Sequence, residues 1–244
     1  GLNNREKSCV FEKKNSKELD VQVIIVGSGK LGRELLTALQ GTLSFPVLAW
    51  SDASTHEANS IVVHTGSGRE LNEVVHYCEQ TQSVLMELST GSVLLERQVA
   101  CPVVICPNTN ILMLKFMALL AQGGHQFRNY KIQLTESHQA DKSSVPGTAV
   151  NLAESLGLGP EQIDSVRDVS KQTSVLGIPP AYLSRHAYHR IVIEDGLSSV
   201  ALETKVFGSM PYADGVAKII QAIADHAMEP RRYNILELIE NGWL

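Results

Sequence analysis

The amino-acid sequence predicts the α/β fold class, with a doubly wound parallel sheet and an inserted α+β domain. Two observations support this prediction. Short apolar strand patterns alternate with amphipathic helix patterns from residue 21 to about residue 109, which is typical of a parallel sheet covered by helices. Later runs alternate apolar and polar residues, as in an antiparallel sheet with one exposed face.

The first half of the chain alternates strands with helices. The run 21–26 is β-branched and largely apolar, as a strand buried on both faces of a parallel sheet should be. Segments with leucines recurring on one face predict helices. The predicted strands are 21–26, 46–50, 60–65, 84–88 and 103–106, and the predicted helices are 33–40 and 70–80.

The pattern changes after residue 110, where a strongly apolar helix begins. The predicted helices are 111–122, 148–156, 215–228 and 233–239, and the predicted strands are 130–134, 189–193 and 199–207, the last two joined by a hairpin at 194–196. We therefore expect a mobile tail at 1–20, a dinucleotide-binding domain at 21–109 plus 214–244, and a substrate-binding and oligomerisation domain at 110–213.

The composition excludes several functional classes. The 244 residues carry a net charge of −5 and no long basic run, so we expect no nucleic-acid partner. No apolar run approaches the roughly 18 residues of a membrane span, and the first residues lack a signal-peptide core, so we expect a cytoplasmic protein without a membrane partner. The four cysteines and eight histidines follow no metal-ligand or disulfide spacing, so we expect reduced thiols and no metal site.

A glycine-rich loop follows the first predicted strand. Its residues are Gly27, Ser28, Gly29, Lys30, Leu31 and Gly32. Between a strand and a helix, this spacing predicts a Rossmann-type dinucleotide site, with NADH or NADPH as cofactor. Gly27 would permit the tight turn, Gly29 the approach of a pyrophosphate, and Gly32 close contact between helix and strand. A purely structural glycine turn is the alternative interpretation.

Polar residues at strand ends complete the predicted cofactor site. Asp52 lies 20 residues after Gly32, where an acid that reaches the ribose hydroxyls is expected. A 2′-phosphate would have to rely on Lys30 or Arg33, so the sequence leaves the choice between NADH and NADPH open. Four further polar residues follow later strands and would line the nicotinamide side of the crevice: Thr65, Ser89, Thr90 and Asn108.

The segment after the strand at 130–134 carries the candidate catalytic groups. His138 and Lys142 are four residues apart, and Gly147 and Thr148 follow in a Pro-Gly-Thr turn. An imidazole titrates near neutral pH and can act as a general acid, whereas an ammonium stabilises negative charge. Backbone N–H groups of the turn would hold an anion. Together with a hydride donor, these groups suggest a reductase.

This segment resembles the signature of the 4-hydroxy-tetrahydrodipicolinate reductase (dihydrodipicolinate reductase) family, Glu-x-His-His-x-x-Lys-x-Asp-x-Pro-Ser-Gly-Thr-Ala. Residues 136–149 read Glu-Ser-His-Gln-Ala-Asp-Lys-Ser-Ser-Val-Pro-Gly-Thr-Ala. The resemblance extends over the glycine loop, the later strand ends and the segment 202–215, and so over nearly the whole chain after the tail.

The resemblance implies hydride transfer from NADH or NADPH to a cyclic imine dicarboxylate in diaminopimelate and lysine biosynthesis. It implies His138 as the acid, Lys142 as the substrate-binding cation and possible proton donor, and Gly147 and Thr148 as the carboxylate-binding loop. Gln139 stands where the family has its second histidine and would face the substrate. The resemblance also implies a homo-oligomer, commonly a tetramer.

The chain departs from the family signature at several positions. Ser144 replaces the Asp, and the Ser before Gly147 is missing, which shortens the carboxylate loop by one residue. Two alternatives therefore stay open: a reductase of another cyclic imine acid, or a catalytically weak nucleotide-binding homologue that acts as a sensor or assembly partner. His186 and His189, on either side of Tyr188, could reach the substrate cleft, but cross-strand packing is the favoured interpretation.

Overall fold

The computed structural model describes residues 21–52 and 59–244, except for the side chains of Met210 and Pro211. The tail predicted at 1–20 lies outside the described residues. The described strands are β1 Val23–Val26, β2 Val47–Ala49, β3 Ile61–His64, β4 Val84–Glu87, β5 Val103–Ile105, β6 Lys131–Ser137, β7 Ile163–Val166, β8 His186–Glu194, β9 Ser199–Phe207 and β10 Arg232–Asn234. The described α-helices are α1 Lys30–Gln40, α2 Leu71–Thr81, α3 Ile111–Gly123, α4 Gly147–Leu156, α5 Val169–Ser174, α6 Met210–Asp225 and α7 Ile235–Glu240.

Six strands form a parallel sheet in the order β10-β5-β4-β3-β1-β2. The residues of β1 and β3 are buried along their whole length, which explains why β-branched and apolar side chains fill them. Since all six strands run the same way, their carboxyl ends meet at one edge, where the glycine loop and the segments after β3, β4 and β5 lie together. The predicted α/β class with a parallel sheet is confirmed.

The predicted start of the last helix is wrong. The sequence predicts a helix from Tyr233, but residues 232–234 form β10, in which Tyr233 pairs with Val104 of β5 and is buried. The helix begins only at Ile235, because the Asn234 side chain accepts a hydrogen bond from the Leu236 N–H and the Glu237 carboxylate accepts one from the Asn234 N–H. This capping box stops the helix from extending back into the strand.

The second sheet has the order β7-β6-β8-β9, with β6 parallel to β7 and antiparallel to β8. β9 covers the predicted residues, whereas β8 begins three residues earlier than predicted. β7 and α5 have no counterpart among the elements that the sequence predicts. The Ile-Asp-Ser-Val sequence of β7 exposes its two middle residues, so it lacks the apolar alternation that marks a strand.

One buried apolar cluster joins the two sheets and fixes the loops between them. It runs from Val104 of β5 through Leu114 of α3 and Leu152 of α4 to Leu134 of β6. Because α4 and β6 pack into the same core as the parallel sheet, the residues that follow β6 face the end of β5. In the described part of the chain, no helix is long and apolar enough to cross a membrane.

Candidate active site

A cavity of about 450 Å³ lies where the end of β5, the end of β6, the start of α4 and the start of β8 meet. Seven of the residues that the sequence singles out line it: Thr90, Asn108, His138, Gln139, Lys142, Gly147 and Thr148. Arg185, His186, His189 and Tyr212 also line it. The structure therefore brings the predicted acid, the predicted cation and the predicted carboxylate loop to one cavity, beside two strand ends of the parallel sheet.

The start of α4 is open toward ligands and tied to the parallel sheet. Pro146 is the extended residue that precedes the helix, and a Cβ added to Gly147 would meet no atom within 4 Å. The Asn108 side-chain amide donates a 3.1 Å hydrogen bond to the Thr148 hydroxyl, which connects the segment after β5 to the first turn of α4. The N–H groups of that turn and the ammonium of Lys142 make this wall of the cavity suitable for a carboxylate.

His138 follows β6 directly and is held by a buried carboxylate. Its Nδ1 lies 2.7 Å from Oε2 of Glu136, whose side chain is fully buried. Arg167 Nη2 lies 2.6 Å from the other carboxylate oxygen. Burial opposes the ionisation of Glu136, but the hydrogen bonds from His138 and Arg167 outweigh it and lower the pKa of this carboxyl to about 2.

Two further histidines surround the His138 ring. The ring centroid of His186 lies 6.5 Å away and that of His189 lies 5.7 Å away. His189 Nδ1 contacts the Thr204 hydroxyl across the β8–β9 pair, as the predicted cross-strand packing requires. Both histidines also line the cavity, so cross-strand packing is not their whole role. β8 brings both histidines close to His138, because it pairs with β6 up to Ser137, the residue before His138.

Burial keeps both of these neighbouring histidines uncharged. It lowers the pKa of His186 and lowers that of His189 to about 4, with the charge of His138 contributing in each case. The Nε2 atom of His189 is buried and has no hydrogen-bond partner among the described residues. Two neutral imidazoles therefore face the cavity beside His138.

The glycine loop has the geometry that its spacing predicts. Gly27 has a φ of +122°, a conformation that favours glycine. A Cβ on Gly32 would lie 2.2 Å from the Gly27 carbonyl oxygen, so only glycine allows this contact between α1 and the loop. A Cβ on Gly29 would meet no atom within 4 Å, so the space before the N-terminus of α1 is open. The Thr65 hydroxyl donates a 2.8 Å hydrogen bond to the carbonyl of Val26, the residue before the loop, and so connects the end of β3 to the start of the loop.

The remaining predicted cofactor residues lie around this loop. Lys30 is exposed and lies 3.9 Å from Glu34, and Leu31 lines a separate cavity of about 520 Å³. Asp52 is exposed just beyond the end of β2. The Ser89 hydroxyl donates to the Gly66 carbonyl at 2.9 Å, so it braces the segment after β3.

A buried hydrogen-bonded pair connects the ends of β3 and β4. His64 Nδ1 is 2.8 Å from Oε1 of Glu87, and neither side chain is more than 1% exposed. Burial opposes the ionisation of Glu87, but hydrogen bonds from His64, Ser92 and the Ser89 N–H hold its pKa below the ordinary value. The pair fixes the ends of β3 and β4 relative to each other.

Sequence reasoning missed the residues that hold the catalytic candidates. Glu136 has a readable signal, because side chains two positions apart on a strand share a face and His138 follows it by two. Arg167 and Gln172 have no such signal. They lie 31 and 36 residues beyond Glu136, Arg167 directly after β7 and Gln172 within α5, and neither of these two elements is predicted from the sequence.

No protein-family profile matches the chain. The chain is 29% identical over 153 residues to 4-hydroxy-tetrahydrodipicolinate reductase 2, chloroplastic, of Arabidopsis thaliana, a match that covers 57% of this chain and 44% of that protein. It is 27% identical over 153 residues to the probable 4-hydroxy-tetrahydrodipicolinate reductase 1, chloroplastic, of Oryza sativa subsp. japonica, covering 57% and 45%. The matched segment thus spans about half the length of these curated relatives.

A solved structure shares the fold over most of the chain. Dihydrodipicolinate reductase from Paenisporosarcina sp. TG-14, with dipicolinate bound, superposes with a TM-score of 0.63 at 15% identity, covering 88% of this chain and 97% of that one. The chain is therefore a divergent relative of these reductases and has their α/β fold, as the motif resemblance predicts.

Proposed function

We propose that this chain is an NADH- or NADPH-dependent reductase that converts 4-hydroxy-tetrahydrodipicolinate to tetrahydrodipicolinate in diaminopimelate and lysine biosynthesis. The observation that carries the proposal is the single cavity that contains His138, Lys142 and the start of α4, tied to the parallel sheet by the hydrogen bond from Asn108 to Thr148. Sequence similarity to 4-hydroxy-tetrahydrodipicolinate reductases supports it.

The glycine loop fits a dinucleotide. The open space before Gly29 would admit a pyrophosphate at the N-terminus of α1, and the tight contact of Gly32 with Gly27 keeps that helix end close to the loop. Asp52 would reach the ribose, and Thr90 and Asn108 would line the side nearer the substrate cavity. When bound, the cofactor supplies the hydride.

The chain's own residues supply substrate binding and the proton. Lys142 and the N–H groups at Gly147 and Thr148 would bind carboxylates of the substrate, and Gln139 would contact it from the same loop. His138 would donate the proton that completes the reduction. Burial favours the uncharged form of His186 and His189, so neither would add a second positive charge. Both ring nitrogens of His186 already have partners in Ser137 and Tyr182, whereas Nε2 of His189 has none among the described residues.

A second candidate is a reductase of a different cyclic imine acid. Gln139, Ser144 and Val145 line the cavity where the carboxylate loop is one residue shorter than in the resembled signature. A shorter loop changes the distance between Lys142 and the start of α4, and this distance sets which pair of carboxylates fits.

A second copy of the chain is the proposed partner for the outward face of the second sheet. Gln133, Thr135, Arg190 and Val192 line a groove of about 620 Å³ on this face. The proposal predicts a tetramer in sedimentation analysis, and the substitution Ala201→Glu on exposed β9 should dissociate it. A monomer at all concentrations would contradict it. The cytoplasmic location stays a prediction.

The deciding experiment follows the oxidation of NADH and of NADPH by the purified protein. The substrate is the condensation product of pyruvate and aspartate semialdehyde. Turnover with either cofactor supports the proposal. Cofactor binding without turnover of this substrate contradicts the main proposal and favours either another cyclic imine acid or a nucleotide-binding role without catalysis.

A further inference from the structure

We infer that Glu136 and Arg167 are positioning residues, which fix His138 so that Nδ1 carries a proton toward Glu136 and Nε2 is offered to the substrate. The role of Nε2 in the reaction rests on the proposed function, whereas the state of the ring does not. Nothing in the sequence signature assigns a role to Arg167.

The proton on Nδ1 follows from the contacts of Glu136. The two carboxylate oxygens have separate partners, Arg167 Nη2 at 2.6 Å and His138 Nδ1 at 2.7 Å. An ionised carboxylate only accepts hydrogen bonds, so Nδ1 must be the donor. The Arg167 guanidinium, which cannot lose its proton, keeps Glu136 ionised throughout the working pH range. A neutral His138 therefore carries its single proton on Nδ1, and Nε2 is the nitrogen available to a ligand.

Arg167 also connects the two predicted catalytic residues. Its Nε donates a 2.9 Å hydrogen bond to the Lys142 carbonyl, while Nη2 holds Glu136. A third donor, Nη1, binds the Val166 carbonyl at 3.1 Å. One rigid guanidinium thus sets the position of the Lys142 backbone and, through Glu136, the orientation of the His138 ring.

The groups around His138 fix its backbone, and Glu136 is the anion that contacts its ring. Gln172 donates a 2.7 Å hydrogen bond to the His138 carbonyl. The charged and titratable groups around this site are Glu136, Arg167, Lys142, Arg185, Tyr212, His186 and His189, and burial favours the uncharged form of the two histidines. Glu136 is therefore the anion in contact with the ring.

The substitution Glu136→Gln tests the inference without changing the side-chain shape. Arg167 offers only donors, so the new amide must turn its oxygen toward Arg167 and its NH₂ group toward His138. Nδ1 then has to accept a hydrogen bond, and a neutral ring carries its proton on Nε2 instead. The substitution should therefore move the single proton of the neutral His138 ring from Nδ1 to Nε2.

The measurement is ¹⁵N NMR of the histidine rings in the full chain, without substrate or cofactor, at a pH where the rings are neutral. We expect the Nδ1–H form for His138 in the original protein and the Nε2–H form in Glu136→Gln. His186 is an internal reference, because its Nδ1 donates to the Tyr182 carbonyl in both proteins. The exposed Glu154→Gln on α4 is the matched control and should leave both rings unchanged.

The kinetics give an independent second readout. Glu136→Gln should lower kcat by roughly 100-fold or more with little change in KM. The imidazolium that would donate its proton from Nε2 loses the carboxylate that stabilises its Nδ1–H, whereas the carboxylate sites of the substrate stay in place. Arg167→Lys should keep the Nδ1–H form but raise KM, since one ammonium cannot hold both Glu136 and the Lys142 carbonyl.

Two results would overturn the inference: the Nε2–H form of His138 in the original protein, or an unchanged tautomer in Glu136→Gln. If Glu136→Gln does not fold, Arg167→Lys decides, and an Nε2–H form in that variant would also overturn it. The NMR result is read without turnover. Absence of activity would therefore contradict the proposed function without affecting this inference. Activity together with the Nε2–H form of His138 in the original protein would contradict this inference without affecting the proposed function.

Discussion

Replacing Glu136 by Gln should remove the part of the free energy of unfolding that depends on the ionisation of this carboxyl and is lost at low pH. Glu136 is fully buried between Arg167 and His138, and its pKa is about 2 instead of an ordinary 4.5. At about 1.4 kcal/mol for each factor of ten, this difference corresponds to about 3 kcal/mol of stabilisation when the carboxyl is ionised in both the folded and the unfolded chain.

The direction of the pH effect follows from the lowered pKa. A carboxyl whose pKa is lower in the folded chain stabilises the fold above its unfolded pKa, and that stabilisation disappears as the pH falls toward the folded value. The contribution of Glu136 is therefore complete above about pH 5 and is lost between about pH 5 and pH 2. Between about pH 5 and about pH 3 it should fall by about 2 kcal/mol.

Urea unfolding at about pH 5 and about pH 3 measures this loss. The free energy of unfolding of the original protein should fall by about 2 kcal/mol more than that of Glu136→Gln over this interval. The control Glu154→Gln changes the same functional group at an exposed position and should follow the original protein. Equal losses in the original protein and Glu136→Gln would refute the assignment of Glu136 as an ionised, buried partner of Arg167.

Four further substitutions probe the cofactor and carboxylate sites. Gly32→Ala places a Cβ 2.2 Å from the Gly27 carbonyl oxygen and should destabilise the protein by about 1–3 kcal/mol in thermal unfolding, so a variant of unchanged stability would contradict the close contact between α1 and the loop. A Cβ on Gly29 would meet no atom within 4 Å. Gly29→Ala should therefore keep the stability of the protein but weaken cofactor binding, measured by nicotinamide fluorescence. Asp52→Ala should weaken binding of NADH more than that of NADPH in the same titration, and equal losses would remove the proposed contact with the ribose. Thr148→Val removes the hydroxyl that accepts the hydrogen bond from Asn108. Since such a bond contributes about 1 kcal/mol, the substitution should raise KM for the substrate about fivefold. An unchanged KM would show that this bond does not position the carboxylate loop.

The sequence predicts the glycine loop and its surroundings well, because local rules determine them. The turn at Gly27 needs a positive φ and the contact at Gly32 excludes a Cβ, so the spacing of these residues carries the geometry directly. The buried strands of the parallel sheet are equally readable, since both faces are apolar. The helix predicted from Tyr233 is wrong because pairing with β5 overrides the local helical pattern.

The supporting residues of the candidate site are not readable in the same way. His138, Lys142 and Thr148 lie within eleven residues of one another, and their spacing reveals them. Arg167 contacts Glu136 only because β7 pairs with β6, and His189 reaches His138 only because β8 pairs with β6 on its other side. These contacts depend on strand order, which no local pattern encodes.

The proposed function places the reduction in the cavity that contains His138 and Lys142. Its most direct test compares cofactor oxidation by the original protein and by the double variant His138→Ala, Lys142→Ala, with the standard substrate and the preferred cofactor. The matched control is His125→Ala, Lys115→Ala, which removes the same two side-chain types from exposed positions. Turnover should fall by at least about 100-fold in the first variant and be retained in the control. Full turnover in the first variant would contradict this placement of the reduction.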